Sequence, residues 1–240
     1  MNRLATAEQQ IDQAPCVSVT DIAGTQFVCD PMGALYCEAH RLLVVSDLHL
    51  EKGAAFARRG QLLPPYDTHA TLKILAHVIA RYDPAIVISL GDNFHDARGS
   101  ALMPDDCREL VGAMARGRDW IWITGNHDPD GVTGLPGTVA ESLVLNGLTF
   151  RHEPTAGAVQ GEIAGHLHPA ATVRRREKSV RRPCFATDGA RLIMPSFGVM
   201  TGGLDLGHTA FKGLFDRTSL VAHLMSRDRV YPVSWANLKA

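Results

Sequence analysis

Leu42-Leu43-Val44-Val45-Ser46-Asp47-Leu48-His49 decides how this chain is read: four aliphatic residues in an unbroken run, then a serine, then a carboxylate and an imidazole two residues apart. So short an apolar run, ending in polar residues, predicts a buried strand. Residues 85–90 (Ala-Ile-Val-Ile-Ser-Leu) and 120–124 (Trp-Ile-Trp-Ile-Thr) repeat the pattern. Between the first two, residues 66–81 place Leu72, Leu75, Ala76 and Ile79 on one helical face. Pro104-Asp105-Asp106 opens a second helix, with a proline and acids where a first turn tolerates and favours them. The result is a βαβαβ half, and the chain is of α/β class.

Outward from that half the pattern changes. After Pro136 short strands take over: 142–145, a turn at Asn146-Gly147, then 148–150, with strands continuing to Met194. Residues 211–233 predict a helical turn followed by a hairpin. Residues 1–22 are polar and aperiodic and read as a tail, leaving 23–240 as a single domain. Trp120 and Trp122, at strand spacing, are expected to pack on one sheet face.

The 240 residues are 45% hydrophobic and 20% charged, which excludes collagen-like, coiled-coil and disordered classes. A formal net charge of -1 gives no whole-molecule field toward nucleic acid or membrane, so any polyanion binding must be local. There is no apolar run of membrane-spanning length and no signal-peptide order at the amino terminus, so a cytoplasmic protein with no membrane partner is expected. Five scattered cysteines without a C-x-x-C pair read as reduced packing residues.

Five polar clusters follow the ends of these strands, where α/β sheets place their ligands. They are Asp47-Leu48-His49, Gly91-Asp92-Asn93-Phe94-His95, Gly125-Asn126-His127-Asp128, Arg151-His152-Glu153 and Gly165-His166-Leu167-His168. A single D-x-H, or one strand-end histidine, is more often structural than a ligand. Five together offer more oxygen and imidazole donors than one ion can use, with no thiolate among them. Two borderline cations are implied, manganese first, with iron and zinc also compatible.

In this order, D-x-H, G-D-x-x-H, G-N-H-D, a lone histidine and G-H-x-H resemble the calcineurin-like metallophosphoesterase superfamily, over about residues 26–200. Within it, SDLHLEKGAAFARRG, GDNFHDARG, GNHD, RHEP, GHLHP and PSFGVMTGG are similar to the bacterial ligase-associated DNA-damage-response endonucleases. The resemblance implies a four-layered α/β/β/α sandwich, two mixed sheets flanked by helices. It implies that Asp47, His49 and His168 hold one metal, that Asn126, His152 and His166 hold the other, and that Asp92 bridges them. The i, i+2 spacing of D-x-H in an extended strand end would point both side chains one way. Two divalent ions less two carboxylates and a bridging hydroxide leave a positive centre suited to an anionic phosphoryl group, and the hydroxide would be the nucleophile of phosphodiester hydrolysis. His127 would protonate the leaving oxygen or stabilise phosphoryl charge, and Asp128 would orient it.

His95 discriminates within the superfamily. Phosphoprotein phosphatases carry an aspartate there and G-N-H-E where this chain has G-N-H-D, whereas double-strand-break-repair nucleases carry G-D-L-F-H. A phosphodiester contacted by His95 is therefore expected. Arg174, Arg175, Arg176, Lys178, Arg181 and Arg182, directly after the last ligands, could guide a nucleic-acid backbone, although a basic run is usually a solvated hairpin. The reading that results is a two-metal phosphodiesterase, a DNA nuclease of repair acting on single-stranded or processed ends. The subfamily further implies functional association with an ATP-dependent DNA ligase and a helicase. A nucleotide or cyclic-nucleotide phosphodiesterase or pyrophosphohydrolase would need the same centre, and a non-catalytic scaffold would keep the fold alone.

Overall fold

A computed structural model describes residues 16–61, 66–175 and 178–238. The run Leu42–Val45 is strand β4, the fourth of a seven-stranded sheet. In that sheet β1 (Ser18–Ile22), β2 (Thr25–Cys29), β3 (Leu35–Cys37) and β4 are paired antiparallel. Strands β5 (Ile86–Leu90), β6 (Asp119–Ile123) and β7 (Thr138–Ala140) extend it in parallel from β4. Helices α1 (Lys52–Arg58) and α2 (Asp67–Tyr82) connect β4 to β5, and α3 (Gly99–Leu102) and α4 (Asp105–Ala115) connect β5 to β6. The expected βαβαβ half is this unit.

The second sheet is nine-stranded and also mixed. β8 (Ser142–Leu145) and β9 (Leu148–Arg151) form the hairpin turned at Asn146-Gly147, where both residues have positive φ. β10 (Glu162–Ala164) lies parallel between β9 and β13 (Arg191–Ile193), while β11 (Pro169–Arg175) and β12 (Lys178–Thr187) form a long hairpin. β14 (Leu204–Asp205) edges β11. A 3-10 turn at Thr209–Phe211 precedes a hairpin of β15 (Val221–Met225) and β16 (Val230–Ser234), matching the pattern expected for that stretch.

Strand alternation explains the layering. Val44, Ile88, Leu90 and Ile123 face the second sheet and meet Phe150, Ile163, Phe185 and Leu192. Their neighbours Leu43, Val45, Val87, Trp120 and Trp122 face outward and are covered by Leu72, Leu75 and Val78 of α2 and Val111 and Met114 of α4. The two tryptophans pack against each other on that face, ring centroids 5.1 Å apart. Beyond the second sheet the outer layer is thin: Phe211 and Leu220 cover Cys184, Ala186 and Ile193.

The expectation of a tail to residue 22 is corrected at its end. Residues 1–15 lie outside the described residues, but Ser18–Ile22 is a paired strand, and Cys16 bridges to Arg229. Polar Ser18, Thr20 and Asp21 hide the period of two: Ile22 and Ser18 are buried while Val19 faces solvent. Of the five cysteines, all are free and only Cys16 is exposed.

Candidate metal centre

Buried, aliphatic β4 and β5 lie side by side and deliver their polar ends to one place. The loops that follow are joined by backbone hydrogen bonds: the Asp47, His49 and Leu50 amides donate to Gly91, Asp92 and Asn93 carbonyls, and His95 donates to Leu50. The segment Pro195-Ser196-Phe197-Gly198 closes against the same loop. Ser196 Oγ donates to the Asp47 carbonyl, and the Phe197 amide donates to Ser46.

Three groups of donors converge there, one of them made of His49, His95 and His127. Asp47, His49 and His168 each bring one ligand atom within 4.8 Å of the others, and Asp92, His152 and His166 form a second such group. Asp92 lies between them: Oδ1 is 3.3 Å from His152 Nε2, and Oδ2 is 3.9 Å from His49 Nε2. Asn126 joins the second group, its Oδ1 2.9 Å from His152 Nε2. The two histidines of G-H-x-H thus go to different groups.

The chemistry of these donors fits divalent cations. The His152 Nδ1–H donates to the Leu90 carbonyl at 2.8 Å, which turns Nε2 toward the other donors. Nε2 faces Asn126 Oδ1, Asp92 Oδ1 and, at 3.2 Å, His166 Nδ1. Carboxylate, amide and imidazole atoms converging on one space form a donor set suited to a cation among them. In the first group Asp47 Oδ1 and His168 Nε2 are buried 3.0 Å apart, and neither finds a further hydrogen bond beyond that pairing. Burial pushes His49 down to about 3 and also lowers His166, so both rings are neutral, the form that ligates.

The expectation of an extended D-x-H is corrected. Strand β4 ends at Val45, and Asp47 and His49 have φ of 53° and 44°. Asp92, His166 and His168 are left-handed as well, at 45°, 67° and 45°. Five of the seven candidate ligands therefore occupy a region that costs a non-glycine residue roughly 1–3 kcal/mol. The backbone bonds between loops over-determine this conformation, and strain concentrated so tightly marks a functional site. Gly125 completes the packing: an added Cβ would overlap the Asp92 backbone and carboxylate.

His127 and His95 lie beside the two groups, rings stacked with centroids 5.3 Å apart, and His95 also stacks on Phe56 at 5.3 Å. His127 Nδ1–H donates to the His95 carbonyl, and Nε2 is 3.9 Å from Asp92 Oδ2. Burial, then Lys52 and His127, pushes His95 down to about 4. His95 Nδ1 is buried without a partner. Asp128 is buried and does not bond His127. It accepts from the Asn93 amide and side chain and from the Phe94 and Gly125 amides, tying the G-N-H-D loop to the G-D-N-F-H loop. Burial still carries its carboxyl up to about 6, against those donors.

The basic segment is the β11–β12 hairpin, which begins one residue after His168. Arg174 pairs with Ser179, and Thr172 with Arg181, so Arg174 and Arg181 share one face while Lys178 and Arg182 take the other. Arg181 is engaged, donating to the Gly203 carbonyl at 2.5 Å. Arg176 lies outside the described residues, and of Arg175 the described part is its backbone pairing with Lys178.

Two supporting groups escape sequence reading. Lys52 Nζ donates to the Met200 carbonyl at the edge of the centre. Arg191 and Glu162 form a buried ion pair at 2.7 Å, and Arg191 and Glu162 both bond Thr155, fastening the loop that leaves His152. Their separation of 29 residues carries no local signal.

Two face-to-face mixed sheets, helices against the first, with clustered carboxylate, amide and imidazole donors at the strand ends, define a metallophosphoesterase fold. Residues 40–183 match the calcineurin-like phosphoesterase family, and the chain belongs to it. A crystal structure of Pseudomonas putida nuclease MPE superposes with a TM-score of 0.67 at 26% identity, covering 90% of this chain and all of that one. An Arabidopsis thaliana protein named probable inactive purple acid phosphatase 29 is 25% identical over 187 residues, 75% of this chain. The chain spans 47% of that relative's length. Among the described residues, no helix is long and apolar enough to cross a membrane.

Proposed function

We propose that this protein is a two-metal phosphodiesterase and a nuclease of DNA repair, cutting single-stranded or processed DNA. The observation that carries the reading is the sharing of Asp92 between two groups of converging donors, with His127 and His95 stacked alongside. Asp47, His49 and His168 would hold one ion and Asn126, His152 and His166 the other, with Asp92 between. When bound, the ions would polarise the phosphoryl oxygens and lower the pKa of a water.

The protein's own groups do the rest. His127, its Nδ1–H committed to the His95 carbonyl, presents Nε2 toward the space beside Asp92, and a proton taken up there from solvent can pass to the leaving oxygen. His95, neutral and wedged between Phe56 and His127, contacts the phosphodiester. Asp128 positions both loops rather than the His127 ring. Likeness to a nuclease over 90% of the chain supports a nucleic-acid substrate, and the basic hairpin leads away from the centre. Manganese as the resident ion, a cytoplasmic location, and work alongside an ATP-dependent DNA ligase and a helicase belong to the same reading. The full ligand set and retained His127 weigh against a pure scaffold.

The test is manganese-dependent hydrolysis of bis-p-nitrophenyl phosphate beside a labelled single-stranded DNA, with Asp92→Ala and His127→Ala as controls. Cleavage of both, lost in both variants, is expected. Cleavage of the small diester alone would move the substrate to nucleotides, and no cleavage of either would leave a scaffold.

A further inference from the structure

We infer that the first turns of α2 and α4 form a separate divalent-cation site, with His69, Asp106 and Cys107 as its protein ligands and zinc the ion its donors suit. One ligand atom from each residue falls within 4.8 Å of the other two. His69 Nδ1 is 3.3 Å from Cys107 Sγ, and His69 Nε2 is 3.8 Å from Asp106 Oδ2. Zinc bound tetrahedrally by sulfur, nitrogen and oxygen sets its ligand atoms about 3.4–3.6 Å apart, so His69 Nδ1 and Cys107 Sγ already stand near that spacing, and the exposed Asp106 carboxylate would swing from Nε2 toward Nδ1 to complete the set.

The site is shaped for an ion arriving from solvent. Cys107 lies at the bottom, 1% exposed, while the side chains of His69 and Asp106 stand at the rim, 59% and 65% exposed. Asp106 is held for the purpose: its Oδ1 accepts from the Cys107 amide, leaving Oδ2 toward His69. Burial first, then Asp106, Glu51 and Asp67, drive the Cys107 thiol up to about 11. So much negative charge around a thiol favours a cation, whose binding expels the proton and leaves the thiolate as ligand. The donor set differs from that of the phosphoesterase centre, where no candidate ligand is a thiol. A soft ligand gives this site its own preference for zinc over manganese.

Occupancy would pin α2 to α4. The first turn of α2 also holds the loop that carries His49, because Thr68 Oγ1 accepts from the Glu51 amide and donates to its carboxylate, and Asp67 accepts from the Gly53 amide. The ion is thus structural and lies behind the centre, one bonded turn removed from it.

Cobalt(II) reports the site without relying on activity, since a thiolate-to-cobalt charge-transfer absorption requires a sulfur ligand. Titrated into the full chain carrying Asp92→Ala, cobalt is expected to raise that absorption with one ion per chain, zinc to abolish it, and Cys107→Ser or His69→Ala to prevent it. His69→Ala in the otherwise unaltered protein should keep diester hydrolysis. Absence of the absorption at saturating cobalt, or its survival in Cys107→Ser, would overturn the site. Should Cys107→Ser fail to fold, exposed His69→Ala decides: an unchanged absorption overturns the site equally.

Discussion

His127 Nδ1 lies 2.9 Å from the backbone carbonyl oxygen of His95. A carbonyl only accepts, so the proton sits on Nδ1 and Nε2 is left to receive or pass one on the side of Asp92. The motif histidine is thereby given a tautomer by a residue 32 positions away. His127→Ala should lower kcat about 10²–10⁴-fold, the range for losing a positioned acid, while metal content measured on the purified variant is unchanged. Equal loss of metal and rate would make His127 a ligand instead.

Gly91 has φ of +72°, and an added Cβ would lie 2.5–2.6 Å from the Cβ and two ring atoms of His152. His152 cannot retreat without breaking its Nδ1 bond to the Leu90 carbonyl. Gly91→Ala is therefore expected to cost the second group its ion and keep the first, a fall from two metals to one by elemental analysis. Two metals retained at full occupancy would remove His152 from the ligand set.

The apolar runs of β4, β5 and β6 were legible because a strand buried on both faces has to be continuously hydrophobic. The candidate donor types were visible too, since metals demand particular donors. What spacing does not encode is backbone conformation: the left-handed φ at Asp47 and His49 comes from hydrogen bonds to Gly91 and Asp92 across the neighbouring loop. Asp128 was misread for a related reason. Its neighbour in sequence is His127, but its partners Asn93 and Phe94 arrive from another strand. β1 escaped because only Ile22 in it announces a buried face.

The β11–β12 register makes the nucleic-acid proposal directional. Arg174 and Lys178 lie on opposite faces of the hairpin, so a single strand tracking one face meets only one of them. Binding of single-stranded DNA measured against salt should weaken with a slope that flattens by about 0.7 in one of Arg174→Ala or Lys178→Ala, and not in the other. A wild-type slope near zero would take the hairpin out of binding altogether.

His223 offers a stability test that uses none of the candidate ligands. It lies on β15 opposite Phe185, buried, with Nδ1 2.9 Å from Ser18 Oγ, and burial pushes it down to about 4 from an ordinary 6.5. Between those values the unfolded chain takes up a proton that the folded chain refuses, so stability falls as pH falls through that window. The full shift amounts to about 3 kcal/mol at most. Urea melts of metal-free protein at pH 7 and pH 4.5 should show this loss in the wild type and a smaller one in His223→Gln. The candidate ligands are the same in both proteins and cancel in the comparison. An identical pH slope in the two would mean that the His223 ring accepts its proton while still packed between the strands.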